Sequence, residues 1–393
     1  MVTSASPSIP SACVDSSTPS VAARLRRAAL VALFLLVVSG CRTGADAARN
    51  DRTSRLTPRL GELLLVGFHG TTLDDNPDVE HLLCRVRVSG VILFARNIVD
   101  AEQLARLTRG LSERARECTG RSLLIAVDAE GGRVMRLGPG AGYTATLSHQ
   151  DLGDANDLAQ TELEARRIGT MLREAGINWN LAPVVDVGYN PANPVIVGSG
   201  RSFGANPSVV AAQANAFIAG MHAAGLITAL KHFPGHGSSL ADSHQGFVDV
   251  SQTANPAVEL APYRMLLAEG VVDAVMTAHV FNRRLDRRYP ATLSASTITG
   301  LLRRDLGWRG VVVSDDMRMG AIEKHYGLAD AAVRAVRAGV DVVLVADDRL
   351  PGGGSAADAV MAGLGTAVRK GHIPARRVEE ALVRIEAMRA RLP

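Results

Sequence analysis

The chain has 393 residues, 47% of them hydrophobic and only 4% aromatic, with a formal net charge of +4. That is ample for a large core, and one α/β barrel commonly takes about 250 residues. The charge is mild, and the arginines are scattered without aromatic interleaving, which argues against a nucleic-acid partner.

The first stretch reads as an address rather than a fold. Residues 1–23 are rich in Ser, Ala and Pro, and Arg24, Arg26 and Arg27 then precede an apolar run from Ala28 to Val38. That run is too short to span a bilayer, which takes about 20 residues. Positive charge, a short apolar run and small residues describe an export signal. The run closes on Val38-Ser39-Gly40-Cys41, which resembles a bacterial lipobox. In such a box the Cys is lipidated and becomes the new N-terminus; an ordinary signal peptide that happens to contain a Cys is the alternative. The expectation is a signal peptide over 1–40, a polar lipid-anchored tether over 41–56 and a folded domain over 57–393. Lipid on Cys41 would hold the protein on a membrane of the cell envelope. Cys84 and Cys118 are then left, and two buried thiols are favoured over a disulfide, although an exported protein can keep one.

From residue 57 strand-like and helix-like stretches alternate. The apolar runs cover 63–70, 88–95, 123–130, 177–187, 226–233, 271–280, 310–317 and 340–348. Helix-compatible segments lie between them, such as Leu158–Glu174, Pro207–Ala224, Ala257–Gly270 and Ala329–Ala338, and a last helix is expected from Val378 to Arg391. Near-continuous apolar strands, each with a crossover, specify a parallel sheet. Eight of them close a (β/α)8 TIM-type barrel, and no length remains for a second domain. A doubly wound sheet would more often carry a glycine-rich dinucleotide turn after its first strand, and His69-Gly70-Thr71-Thr72 is not one.

Residues at the carboxyl ends of barrel strands face the active site. Those ends carry Asp128, Asp186, Lys231, His232, His279, Asp315, Asp316, Asp347 and Asp348. One ionisable group at the end of an apolar run is unremarkable; this convergence is a signal. Two segments stand out. KHFPGHGSSLADSH (231–244) supplies Asp242 and His244, and VVVSDDM (311–317) supplies Asp315. A carboxylate nucleophile with a separate proton-transfer group is what retaining glycoside hydrolysis needs.

The motifs make the resemblance specific. VDAEGGRVMRL (127–137), NLAPVVDV (180–187), NPVI with GRSFG (193–204), KHFPGHG (231–237), DSH (242–244), AHV with PATLS (278–294) and SDDM (314–317) are similar to those of family 3 glycoside hydrolases. Within that family the chain resembles the single-domain β-N-acetylglucosaminidases, over about residues 57–390, because KHFPGHG is followed by DSH. The resemblance implies Asp315 as nucleophile and His244 as general acid, then base. An unperturbed imidazole titrates near pH 6.5 and can serve both steps. Asp242 would orient that ring and stabilise its protonated form. The resemblance makes Asp128, Arg136, Arg201, Lys231 and His232 sugar-contacting, and charge-assisted hydrogen bonds suit hydroxyl-rich ligands. It implies peptidoglycan fragments carrying N-acetylglucosamine as the carbohydrate partner. It implies no metal and no organic cofactor.

The neighbouring groups read as structural. Asp186 is expected to tie down loops, Asp316 to be structural rather than a second nucleophile, and His236 to support the loop of His244. His279 is left between pocket lining and a satisfied buried ring. Gly131 and Gly132 are expected to turn the chain sharply after the third strand. The PGGGS stretch at 351–355 lacks the Lys-Ser/Thr ending of a phosphate loop. A metal hydrolase would need a His-x-His or His-Glu-x-x-His ligand set, which is missing. A phosphorylase using the same residues, or a non-catalytic wall-binding lipoprotein, are the remaining alternatives. The loop carrying His244 is expected to swing.

Overall fold

A computed structural model describes residues 54–74 and 76–392. The expected signal peptide, Cys41 and nearly all of the tether lie outside the described residues. The fold begins a little before the expected boundary. Ser54–Leu56 are already helical, and the Leu56 side chain is buried in the core.

Eight strands form one sheet, each inside one of the eight apolar runs. They are β1 (Leu64–Gly67), β2 (Gly90–Leu93), β3 (Leu124–Val127), β4 (Trp179–Asn180), β5 (Ile227–Phe233), β6 (Ala274–Thr277), β7 (Val311–Ser314) and β8 (Val343–Val345). Neighbours follow chain order from β1 to β7, β8 lies against β1, and every neighbouring pair is parallel. A parallel bridge between Val313 and Val342 closes the ring, reinforced by Ser314 N–H donating to Val342 O at 2.9 Å. The chain is a (β/α)8 barrel.

The strands read as continuous apolar runs because both faces are buried. Alternate residues divide between two cores, as the two-residue period of a strand requires. Leu65, Ile92, Leu124, Trp179, Ile227, Met276, Val313 and Leu344 fill the barrel interior. Their neighbours Leu64, Val91, Ile125, Val275, Val312 and Val343 belong to the larger core shared with the helices.

The outer helices include α1 (Ala101–Thr119), α2 (Leu158–Glu174), α3 (Pro207–Ala223), α4 (Ala261–Glu269), α5 (Gly320–Tyr326), α6 (Leu328–Ala338), α7 (Ala356–Arg369) and α8 (Ala375–Arg389). The helix expected over 257–270 is two pieces. Pro256–Glu259 is a separate turn, and Pro262 sits in the first turn of α4, where a missing N–H costs nothing.

The amino-terminal end of the barrel is closed by α8. Its Ile385 and Met388 join the interior cluster. Arg389 donates to Ser89 O at 3.1 Å, while Arg377 and Arg384 reach the buried Asp341 at 2.7 and 3.1 Å. One expectation is corrected here. Cys84 and Cys118 form a disulfide, with Cα atoms 5.0 Å apart, and neither residue is fully buried. The turn ending at Val86 and the last turn of α1 bring the two residues side by side, which apolar context alone could not indicate.

Candidate active site

The carboxyl end of the barrel opens into a cavity of about 250 Å³. Ile92, Leu181, Met276 and Leu344 belong both to the barrel interior and to the cavity lining, so the top of the apolar core is its floor. Asp128, Arg136, Arg201, Lys231, His232, His244 and Asp315 all line it. Seven of the eight site residues expected from the sequence are therefore brought together across strands far apart in the chain. The eighth, Asp242, stands behind His244.

Lys231 projects from the middle of β5 and is 2% exposed. Its Nζ reaches Asp128 Oδ1 at 2.8 Å and Glu130 Oε1 at 2.6 Å. Arg201, from the loop after β4, grips Glu130 with two parallel bonds of 2.8 Å. Arg136 approaches Asp128 at 3.5 Å. It can do so because Gly131 and Gly132, at φ of 98° and 56°, reverse the chain after β3. A Cβ on Gly131 would lie 2.1 Å from Leu147 O.

The buried Glu130 and the half-buried Asp128 thus face the buried Lys231 and the half-buried Arg201. Burial pushes the Glu130 carboxyl up, but the charges of Arg201 and Lys231 outweigh it and hold the group well below the usual range. Burial likewise opposes the Lys231 ammonium, and Asp128 and Glu130 more than restore it. Glu130 is a site residue that the sequence reading passed over. A signal was present: in VDAEGG it stands two residues from Asp128, on the same face of an extended segment. Phe94, at the end of β2, also lines the cavity unforeseen, with the Arg96 and Arg136 guanidinium carbons 4.5 and 5.7 Å from its ring centroid.

Asp186 ties down loops as expected. Its carboxylate holds His232 Nδ1 at 2.6 Å and accepts the His236 N–H at 2.7 Å. Burial raises its pKa, and His232 and His236 reverse that shift. His236 in turn meets Ser243 Oγ at 3.0 Å, and burial lowers its pKa to about 4. A neutral, buried His236 therefore links the KHFPGHG turn to the residue between Asp242 and His244. Asn193 braces the same turn, donating to His236 O and Gly237 O at 2.8 and 3.1 Å.

Asp315 follows β7 directly. Burial would raise its pKa, but His279, His232, His244 and the Asp316 N–H outweigh burial and lower it. It is an anion at neutral pH. Asp316 behaves differently. Its Oδ1 accepts N–H groups of Ala346 and Arg318 at 2.9 and 3.1 Å, and burial lifts its pKa to about 6. It braces the ends of β7 and β8. The open question at His279 resolves to a satisfied buried ring: Nδ1 meets Thr292 Oγ1 at 2.8 Å and Nε2 meets Asp316 O at 2.9 Å. Asp347 and Asp348 lie outside the cavity lining, the first paired with His69 and the second capping the start of α7.

His244 is the exposed member, with 59% of its side chain accessible. Asp242 Oδ1 accepts its backbone N–H at 2.9 Å and meets Nδ1 at 2.7 Å. Burial opposes ionisation of Asp242, and these His244 contacts outweigh it and lower the pKa. A carboxylate on Nδ1 directs Nε2 away from the pair. The loop rests on the first turn of α5: Gly320 N–H donates to His244 O and Ala321 N–H to Ser243 O, both at 3.3 Å. Lys324 Nζ donates to Gln245 O at 2.9 Å. A Cβ on Gly320 would meet Gln245 O at 2.9 Å, so this close approach depends on glycine. In one cavity, then, stand the anionic Asp315, an imidazole backed by the Asp242 carboxylate, and a fixed network of donors and acceptors.

Residues 55–388 match the glycosyl hydrolase family 3 N terminal domain, and the chain belongs to that family. A β-hexosaminidase of Xylella fastidiosa is 40% identical over 299 residues, covering 73% of this chain and 84% of the relative. A solved family 3 β-N-acetylglucosaminidase from Paenibacillus sp. superposes with a TM-score of 0.80 at 39% identity, covering 86% of this chain and 62% of that one. Against β-hexosaminidase A of Pseudoalteromonas piscicida the identity is 36%, over 68% of this chain, which spans only about half (47%) of that relative's length.

Proposed function

We propose that this family 3 glycoside hydrolase is an exo-acting, retaining β-N-acetylglucosaminidase. The observation that carries the reading is the presence of Asp315 and His244 in one cavity with the Asp128–Lys231–Glu130–Arg201 network. The names of the relatives support the acetamido sugar.

In this reading a terminal N-acetylglucosamine sits in the cavity, its hydroxyls held by Asp128, Arg136, Arg201, Lys231 and His232. Asp315 attacks C1 while His244 Nε2–H protonates the departing glycosidic oxygen. The C1–O bond breaks, the leaving alcohol takes the proton, and the sugar is joined to the Asp315 carboxylate. Asp242 stabilises the imidazolium before transfer and holds the ring in position. His244 then removes a proton from water, which attacks C1 and releases the sugar with its configuration retained. Proton donation by an imidazole–carboxylate pair departs from the two-carboxylate pattern. The preorganised charge network makes no new reorganisation necessary as positive charge develops on the ring.

The test compares release of a phenol from its β-N-acetylglucosaminide and from its β-glucoside, for wild type and Asp315→Ala, with and without inorganic phosphate. Turnover of the acetamido sugar alone, lost in the variant, with free sugar as product, is expected. Phosphate-dependent formation of a sugar 1-phosphate would select the phosphorylase reading instead. Activity on neither, with folded protein, would move the reading to a wall-binding protein.

Peptidoglycan fragments are the natural substrate in this account, and Cys41 anchors the exported protein by lipid to the cell envelope. The Val38-Ser39-Gly40-Cys41 motif supports the anchor. Mass spectrometry of the mature N-terminus checks it: a diacylglyceryl-modified Cys41 is expected, and an unmodified N-terminus elsewhere contradicts it.

A further inference from the structure

The cavity holds about 250 Å³, below the roughly 300 Å³ at which small-molecule pockets usually begin. That is space for one sugar ring. Whatever is linked to that sugar therefore lies outside, on the rim. The rim has a chemically defined side. The group that protonates the glycosidic oxygen must reach it, so the leaving portion departs past His244.

Three positions after His244, on the same loop, is an exposure that neither the fold nor the chemistry so far explains. Among the described residues eight large apolar side chains are exposed, and only one of them, Phe247 at 45%, is aromatic. Leu240, another of the eight at 64%, lies on the same loop, so the two flank the Asp242–His244 pair. Phe247 is not a stray ring on a slack loop. It packs on Phe281, from the loop after β6, with centroids 5.3 Å apart, and lies edge-on to His325 of α5 at 5.8 Å. Two other βα connections thus support one exposed flat ring, three positions along the chain from the proton donor. The chain has only 4% aromatic residues, which makes such a grouping on the loop of the proton donor harder to ascribe to composition.

We infer that Phe247, backed by Phe281 and His325, is the platform on which the first sugar of the leaving portion stacks, so that the site selects β-linked oligosaccharides whose second ring is a pyranose. An aromatic face packs well against the apolar face of a pyranose and holds its ring plane, while the polar groups of the cavity fix the first sugar. Phe247 does not touch the reacting atoms; it sets which leaving groups are accepted. This inference rests on the β-N-acetylglucosaminidase reading. A protein partner seated on the same ring would be indifferent to the glycan and would show itself by leaving substrate preference unaltered.

The experiment uses two substrates: the β-1,4-linked N-acetylglucosamine disaccharide and β-N-acetylglucosaminyl fluoride, whose leaving group has no ring to stack. Wild type, Phe247→Leu and Phe247→Trp are compared. Leucine keeps the packing on Phe281 and His325 but removes the flat face; tryptophan keeps both. The ratio of kcat/KM on the disaccharide to that on the fluoride should fall about tenfold in Phe247→Leu, chiefly through a higher disaccharide KM, and stay within about twofold of wild type in Phe247→Trp. An unaltered ratio in Phe247→Leu, or an equal fall on both substrates, overturns the platform, the latter by showing that the ring only holds the His244 loop. A wild type inert toward both substrates would instead defeat the activity itself, and this inference with it.

Discussion

Glu130 is buried to 1% exposure and meets two cations, Lys231 at 2.6 Å and Arg201 at 2.8 Å. Neither partner can leave for water, so the carboxylate is held as an anion by charge against the pull of burial. Replacing it with Gln keeps the shape and leaves two cations with less counter-charge. Breaking a buried pair in this way costs about 3–5 kcal/mol. Glu130→Gln should therefore lower stability by about 3 kcal/mol in a denaturant titration and raise KM for the sugar; full stability would show that water shares the site. Glu259 is the opposite case. It is buried beside Ser238 N–H at 3.2 Å, and burial lifts its carboxyl to about 7. The folded state then holds this proton more tightly than the unfolded chain, whose pKa is 4.5. The contribution to stability is complete below the unfolded pKa and is lost as pH rises through about 7. Melting temperature should fall more between pH 5 and pH 8 in wild type than in Glu259→Gln. Equal falls would place Glu259 in contact with solvent. At this scale Asp315 and Lys231 were legible because each breaks an apolar run with a charge, and His244 because it follows KHFPGHG beside Asp242. Glu130 was harder to read because its meaning lies in partners remote along the chain: Arg201 is 71 positions away.

At the scale of elements, all eight strands were legible, since strands buried on both faces read as near-continuous apolar runs. Helix limits were less so. The break at Leu260 comes from Pro262 and the local turn at Pro256–Glu259, not from a change in apolar pattern. Helix α8 was expected, yet its task was not. Ile385 and Met388 close the barrel interior from the end opposite the cavity. Truncating Ile385 to Ala removes buried apolar volume at a site that the surrounding strands cannot collapse to fill. A loss of about 2–4 kcal/mol is expected, with kcat unaltered because the catalytic end is remote. A proportional loss of kcat would mean that the plug transmits strain through the interior. The loop of His244 illustrates the limit of reading by motif. DSH names the pair, but Gly320 and Lys324 of α5 hold the loop, and nothing in KHFPGHG points to them.

Across the whole molecule, two ends of one barrel do different work: α8 and its arginines seal one, and the charged strand ends open the other. The Cys84–Cys118 bond ties the first helical crossover to the end of α1, closing a loop of 34 residues in separation. Cross-linking a loop of that length stabilises by about 3–4 kcal/mol in the chain-entropy account. Cys84→Ser with Cys118→Ser should lower the melting temperature while leaving the active site intact, and reduction should reproduce the shift in wild type. No response to reduction would mean that the thiols are not joined. The sequence reading favoured two buried thiols here because spacing carries no distance. The central claim remains that Asp315 becomes covalently bonded to the sugar. The most direct measurement is peptide mass spectrometry after reaction with a fluorinated N-acetylglucosaminyl donor that slows the second step. A glycosyl adduct on the peptide containing Asp315, absent in Asp315→Asn, is the predicted result. An active enzyme that carries no adduct, or carries it on another carboxylate such as Asp316, would contradict the account.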